Sequence, residues 1–233
     1  MSISNRIKAT LASKPKYFKK SYAQCGEDLI IAFALEQMVK GKISYLDIGS
    51  HHPEYLSNTA FFYKNGSHGV CIEPDPHLFS EVKKKRPNDI CLNAGIGLGD
   101  KREADFYIMS IPTLNTFSKE EAENMQSQWG RKIVEVIKAP LLNVNEVIEK
   151  YLSPYPNFIS LDVEGLDLEI LKTFDFKKYR PQVFCVETIT YTENGTEQKI
   201  LPSIEFMKQQ GYFVYADTYI NTIFVDRKHW ANR

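Results

Sequence analysis

Three apolar stretches of this chain end in a carboxylate, and those acids are where its chemistry is written. Tyr45-Leu46-Asp47-Ile48-Gly49-Ser50-His51-His52-Pro53 reads as a buried strand that meets an acid and breaks at a glycine. Gly69-Val70-Cys71-Ile72-Glu73-Pro74 reads as a second strand, with Glu73 lying 24 residues after Gly49. That pairing suits a nucleoside ligand. Backbone can approach it at Gly49 and Ser50, and a strand-terminal carboxylate can accept hydrogen bonds from both ribose hydroxyls. Phe158-Ile159-Ser160-Leu161-Asp162-Val163-Glu164-Gly165 is the third stretch. It delivers Asp162 and Glu164 to the same sheet edge, where they suit a base, a metal ligand or an acceptor for a substrate hydroxyl.

The first turn narrows the ligand. A dinucleotide site favours GxGxxG, because pyrophosphate needs bare backbone and a helix N-terminus. Here the second and third glycines are replaced by a His-His-Pro turn, which crowds a pyrophosphate but leaves room for a cationic methionine tail. Asp47 can hold an ammonium directly or through water. These acids suit S-adenosylmethionine better than a dinucleotide. Asn93-Ala94, closing a third short strand, lies where an adenine edge would sit. His51 and His52 are candidate bases, since imidazole titrates near neutrality. Asp162 is the other leading candidate, with Glu164 behind it. A divalent ion on Asp162 and Glu164 is compatible with the sequence but not demanded by it. Ser57-Asn58-Thr59 reads as a helix opening, with Asn58 within reach of a ligand.

The elements that position these residues alternate. A helical stripe at 29, 30, 33, 34 and 38 predicts a helix over 26–40. A strand follows at 43–48, a helix at 54–65 stopped by Gly66, a strand at 69–73, a helix at 76–86 and a strand at 90–94, then a turn at 95–100. Further strands are expected at 104–109, 132–139, 157–161 and 182–187, with helices at 119–128, 143–151, 166–174 and 203–210. Residues 212–216 and 222–226 read as a closing hairpin. This is a mostly parallel α/β sheet with a C-terminal antiparallel hairpin, the pairing that separates a methyltransferase sheet from a plain dinucleotide fold. Residues 106–130, including Tyr107, Met109, Phe117 and Trp129, are expected to cover the site. Tyr191 is a further aromatic candidate for an acceptor face.

Bulk properties agree with one domain over 21–233 behind a basic arm at 1–20. The chain has 233 residues, 43% apolar and 25% charged, with zero net charge. That charge is uneven: Arg6, Lys8, Lys14, Lys16, Lys19 and Lys20 face no acid within the first 20 residues, leaving 23 basic against 29 acidic residues beyond them. Such an arm can touch an anionic membrane surface. No other feature points to nucleic acid, and no run reaches the roughly 18 apolar residues of a membrane span. Cys25, Cys71, Cys91 and Cys185 form no CxxC pair, which argues against a zinc site or disulfide framework and suits the cytoplasm.

Taken in order, these blocks resemble the FkbM family of S-adenosylmethionine-dependent methyltransferases. Ser21-Tyr22-Ala23-Gln24-Cys25-Gly26-Glu27-Asp28 is similar to the family's SxxQxGED opening. Tyr45–Pro53 is similar to its first ligand motif, Cys71-Ile72-Glu73-Pro74 to its ribose block and Leu161-Asp162-Val163-Glu164-Gly165 to its (I/L)DVEG block. The resemblance spans about residues 21–226. It implies a Rossmann-like class I methyltransferase fold and methyl transfer to a hydroxyl of a sugar, glycan or related natural product. It also implies that Asp47, Gly49, Glu73 and Asn93 contact the cofactor, with Gln24 and Glu27 approaching from the N-terminal helix. The rivals are an N- or protein-directed methyltransferase, whose usual Asn/Asp-Pro-Pro-Tyr block is missing, and a non-catalytic module that keeps the fold to bind a glycan or protein. A nicotinamide-dependent oxidoreductase would need the glycine-rich turn this chain lacks.

Overall fold

A computed structural model of the chain describes residues 19–233. Arg6, Lys8, Lys14 and Lys16 of the basic arm lie outside the described residues. Seven strands form the main sheet: β1 (Ser44–Ile48), β2 (His68–Ile72), β3 (Ile90–Leu92), β7 (Phe158–Leu161), β8 (Val183–Glu187), β9 (Tyr212–Asp217) and β10 (Asn221–Asp226). Their spatial order is β3-β2-β1-β7-β8-β10-β9. Every neighbouring pair is parallel except those of β10, which runs against both β8 and β9. The expected Rossmann-like sheet with its reversed C-terminal hairpin is therefore present.

Side-chain alternation explains why the central strands read as unbroken apolar runs. Tyr45, Phe158, Val183 and Cys185 point to one face, where they pack with Ile31 and Leu35 of α1 (Glu27–Met38). Leu46, Ile159, Phe184 and Val186 point to the other. There they meet Val147 and Ile148 of α5 (Val144–Tyr151), Ile170 and Leu171 of α6 (Asp167–Thr173) and Met207 of α7 (Leu201–Gln209). Fully burying each such side chain contributes about 1.5–3 kcal/mol.

Three elements differ from the sequence reading. The helix expected over 54–65 shrinks to α2 (Ala60–Lys64). His52 Nδ1 accepts from the backbone N–H of Glu54 and Tyr55 at 3.1 and 2.8 Å, and Leu56 adopts a left-handed φ of 56°, so the chain turns instead of winding. The turn expected at 95–100 begins as a strand, β4 (Gly95–Ile96). It joins β5 (Glu103–Met109) and β6 (Ile133–Leu142) in a second sheet of order β4-β6-β5. Finally, α1 buries a different face from the apolar stripe. Phe33 is 55% exposed, while Glu27 and Asp28 are fully buried. Both acids find donors: Asp28 takes Ser21 Oγ and Tyr22 N at 2.6 and 2.7 Å, and Glu27 takes Thr218 Oγ1 at 2.7 Å. No helix among the described residues is long and apolar enough to cross a membrane.

Candidate functional site

Strand order reverses between β1 and β7, the place where an open α/β sheet leaves a crevice beyond its carboxyl ends. Ile48 and Leu161 are register partners there, so Gly49 and Asp162 emerge side by side. The Asp162 N–H donates to the Ile48 carbonyl at 3.1 Å. A Cβ on Gly49 would lie 1.8 Å from the Asp162 carbonyl oxygen, and Gly49 has φ 82°. Only glycine lets the two loops approach this closely.

Above this point lies a cavity of about 370 Å³. Gly49 and His51 enter it from the β1 loop, Glu73 from β2, Ala94 from the end of β3, Asp162 and Glu164 from β7, and Glu187 from the last position of β8. Gln24 and Asn58 also line it. Of the positions the sequence singled out, Gln24, Gly49, His51, Glu73, Ala94, Asp162 and Glu164 thus meet in one place. Four non-glycine residues among those described have left-handed backbone: His51, Leu56, Glu164 and Tyr219. All four line this cavity. Such conformations cost roughly 1–3 kcal/mol each and persist where the surroundings over-determine them.

Five expected site residues lie elsewhere. Asp47 is 4% exposed and does not line the cavity. Its place on β1 turns it to the α1 face, where it accepts from Thr59 Oγ1 and lies 3.8 Å from Arg86 Nη1. Ser50 is buried behind the turn, its N–H donated to the Ile72 carbonyl at 3.1 Å. Asn93 spends its Nδ2 on the carbonyls of Glu73 and Pro74, at 2.9 and 3.0 Å, and so braces the ribose-block strand instead of facing the cavity. Glu27 ties the start of α1 to the β9–β10 hairpin through Thr218 and Asn221. His52 caps its own loop, as described above, and is not part of the lining.

The cover is built from the second sheet. The short 3₁₀ turn Pro112–Leu114 and residues 115–117 close over the cavity. Asn115 Nδ2 donates to Asp75 Oδ2 at 2.9 Å on one rim, and Thr116 Oγ1 to the Glu164 carbonyl at 3.2 Å on the other. Phe117 lines the cavity and packs on Phe106, 4.7 Å between ring centres. Tyr107, Met109 and Trp129 are not in the lining, and Met109 belongs to a small core with Leu114, Ala122 and Met125. Tyr191 and Tyr219 stand at the opposite rim with Glu197.

The lining is acidic. Glu73, Asp162, Glu164, Glu187 and Glu197 face it, and no lysine or arginine among the described residues does. Burial pushes the Glu73 carboxyl up to about 8, even though its oxygens accept from the N–H groups of His51 and Asp75 at 2.7 and 2.9 Å. Asp162 is raised to about 6 by burial and by the Asp47 and Glu27 carboxylates. Burial, then the Asp162 and Asp167 carboxylates, raises Glu164, and burial, then Asp162, Glu164 and Asp167, raises Glu187. His51 moves the other way: burial, then His52, lowers it, which keeps the ring neutral near pH 7. Glu187, Asn221 and Tyr219 are lining residues that the sequence reading did not select. Glu187 carried the same signal as Asp47 and Asp162, an acid closing an apolar strand.

A model of the FkbM methyltransferase domain matches residues 47–214. No curated protein matches the chain significantly. Among solved structures, a TehB-like SAM-dependent methyltransferase from Corynebacterium glutamicum aligns over 96% of each chain at 9% identity and a TM-score of 0.44. A magnesium protoporphyrin IX methyltransferase from Synechocystis with bound SAH covers 86% of this chain and 81% of its own, at 8% identity and a TM-score of 0.45. A putative O-methyltransferase from Klebsiella pneumoniae covers 96% of this chain and 95% of its own, at 10% identity and a TM-score of 0.43.

Proposed function

The chain belongs to the FkbM methyltransferase family, and from that premise we propose that it moves a methyl group from S-adenosylmethionine to a hydroxyl oxygen of a sugar or related natural product. One observation carries the choice of donor: among the described residues the cavity presents five carboxyl side chains and neither lysine nor arginine. A dinucleotide pyrophosphate would find no cation there, whereas a sulfonium donor with an ammonium tail finds acids on every side. Gly49 offers bare backbone to the methionine portion. Glu73 closes β2 where ribose hydroxyls would donate to it, and Ala94 flanks the adenine.

The acceptor oxygen attacks the methyl carbon in line with the departing sulfur. The carbon–oxygen bond forms as the carbon–sulfur pair withdraws onto sulfur, and the hydroxyl proton passes to a base. His51 and Asp162 both line the cavity and are the candidates for that base. The donor is already activated, so alignment contributes most: about 7–11 kcal/mol in favourable cases, against about 10²–10⁴-fold from the base. Tyr191 and Tyr219 at the open rim offer aromatic faces to a sugar ring. The free cysteines suit a reducing compartment such as the cytoplasm.

Calorimetric titration of S-adenosylhomocysteine into the wild type and Glu73→Ala tests the donor site. The wild type should bind and the variant should lose at least tenfold in affinity. Equal affinity removes Glu73 from the ribose, and no binding by the wild type overturns the proposal.

A further inference from the structure

We infer that Asp162, Glu164 and Glu187, joined by the amide oxygen of Asn221, bind a divalent, oxygen-preferring cation of the Mg²⁺/Mn²⁺ class at the acceptor side of the cavity. The inference deepens the proposed function by naming what meets the acceptor hydroxyl.

Four observations support it. Oxygen atoms of the three carboxylates all lie within 4.8 Å of one another. Asp162 and Glu164 reach this point from the loop that follows β7, and Glu187 from the end of β8, so two separate backbone segments converge on one spot. Among the described residues, none of the three makes an ion pair, and no lysine or arginine lines the cavity to offset them. Like charges held this close and left unpaired are relieved by taking up protons or by a bound cation, and the cation is the alternative that leaves all three ionised.

The fourth observation is independent of the acids. Asn221 is 4% exposed and lines the same cavity. It is the register partner of Glu187 across the β8–β10 pair, so the two side chains stand on one face of the sheet. Its Nδ2 donates to Glu27 Oε1 at 3.1 Å, while its Oδ1 has no hydrogen-bond partner among the described residues. Glu27 also accepts from Thr218 Oγ1 and the Cys25 N–H, so it acts as an acceptor throughout. Turning the Asn221 amide over would set oxygen against oxygen. The amide nitrogen is thereby committed to Glu27, and a buried carbonyl oxygen is left without a donor on the sheet face that carries Glu187. Buried polar atoms are rarely left without a partner.

The donor set selects the ligand. Carboxylates and an amide oxygen suit Mg²⁺, Mn²⁺ or Ca²⁺, and the lack of histidine or cysteine in the cluster disfavours zinc. The donor's sulfonium carries no N–H to satisfy these oxygens, and even with its ammonium tail it brings two positive charges against five acidic lining residues. Four oxygen ligands leave part of an octahedral shell open toward the cavity. Adjacent hydroxyls of a sugar can fill it, which would hold the attacking oxygen and make its proton easier to remove. With Asp162 engaged on the cation, the proton goes to His51.

The test is titration of Mn²⁺ into the purified protein, followed by electron paramagnetic resonance, with Mg²⁺ as competitor and S-adenosylhomocysteine binding measured in parallel. One Mn²⁺ should bind per chain, displaceable by Mg²⁺. Glu187→Gln and Asn221→Leu should each weaken it at least tenfold. Glu197→Gln, at the rim, should leave Mn²⁺ affinity unchanged. S-adenosylhomocysteine binding by each variant reports that it has folded; where one variant fails that check, the other decides. If wild-type protein binds S-adenosylhomocysteine but no Mn²⁺, the cation site is wrong and the methyl-transfer reading stands. Exclusion of Mn²⁺ by saturating S-adenosylhomocysteine assigns the acids to the cofactor's ammonium and also overturns the inference. Loss of S-adenosylhomocysteine binding alone, with Mn²⁺ retained, strikes the proposed function instead.

Discussion

The carbonyl oxygen of Asp162 occupies the space where a side chain on Gly49 would begin, 1.8 Å from the position of its Cβ. The two loops that build the cavity therefore meet backbone to backbone, and the acid motif after β7 is positioned by the glycine after β1. Gly49→Ala should fail on two counts. The left-handed φ of 82° costs an alanine roughly 1–2 kcal/mol, and the clash must push the Asp162 loop away. We expect a lower thermal midpoint and S-adenosylhomocysteine affinity reduced by at least tenfold. An alanine variant with wild-type affinity would show that the loops part without consequence.

Glu73 gives the donor site a pH dependence of definite sign. Its carboxyl is held near 8 by burial, so below that pH the free protein carries it protonated. On the proposed ribose contact, the hydroxyls would donate best to the ionised form, so ligand binding would expel a proton. Affinity for S-adenosylhomocysteine should rise by up to about tenfold per pH unit from pH 6 and level off near pH 8. Glu73→Gln, which does not titrate, should remove the part of the slope that Glu73 supplies. Calorimetry in two buffers of different ionisation enthalpy counts the proton directly. An equal slope in wild type and variant would assign the titration to another group.

The parts of the sheet that are buried on both faces were legible in the sequence, because alternation there turns into apolar runs with acids at their ends. The same grammar predicted Glu73 and Asp162 at the cavity. It also misplaced Asp47, which lies inside β1, one residue short of the strand's end, whereas Asp162 follows its strand and Glu187 closes its own. At Asp47 the pleat points to Arg86 and Thr59 rather than to the ligand side. Glu187 followed the rule and was passed over. Asn221 carried no local signal, since its place depends on pairing with Glu187 across 34 residues of chain. The α1 face was hidden partly for a similar reason: its buried Glu27 is satisfied by Thr218 and Asn221, far away in sequence.

His51 should separate chemistry from binding. Its ring lines the cavity, while its backbone N–H is the group that holds Glu73. His51→Gln keeps that N–H and removes the base. We expect kcat to fall about 10²–10⁴-fold with little change in S-adenosylhomocysteine affinity, measured with an identified acceptor. Because burial lowers the imidazole, the acid limb of the wild-type kcat profile should lie below its ordinary value of 6.5 and vanish in the variant. Should the limb persist unchanged in His51→Gln, Asp162 becomes the base and its engagement on a cation is excluded.

Arg86 is the residue on which the hidden face of the site depends. Its side chain is 1% exposed, and its Nε donates to Asp89 at 2.7 Å. Nη2 donates to Thr59 Oγ1 and the Tyr45 hydroxyl, at 2.9 and 3.0 Å, and Nη1 lies 3.8 Å from Asp47. One guanidinium thus joins β1, the start of α2 and the loop before β3, directly behind the Gly49 turn. Arg86→Met removes the cation but keeps much of the volume, leaving Asp47 and Asp89 buried without their counter-charge. Breaking such a cluster from one side costs about 3–5 kcal/mol, a large share of a domain's stability. Urea unfolding should show that loss. Asp47→Asn with Arg86→Met should recover part of it, since the second change removes a stranded charge. If Arg86→Met unfolds like the wild type, Asp47 is not held by Arg86, and its removal from the ligand side would need another cause.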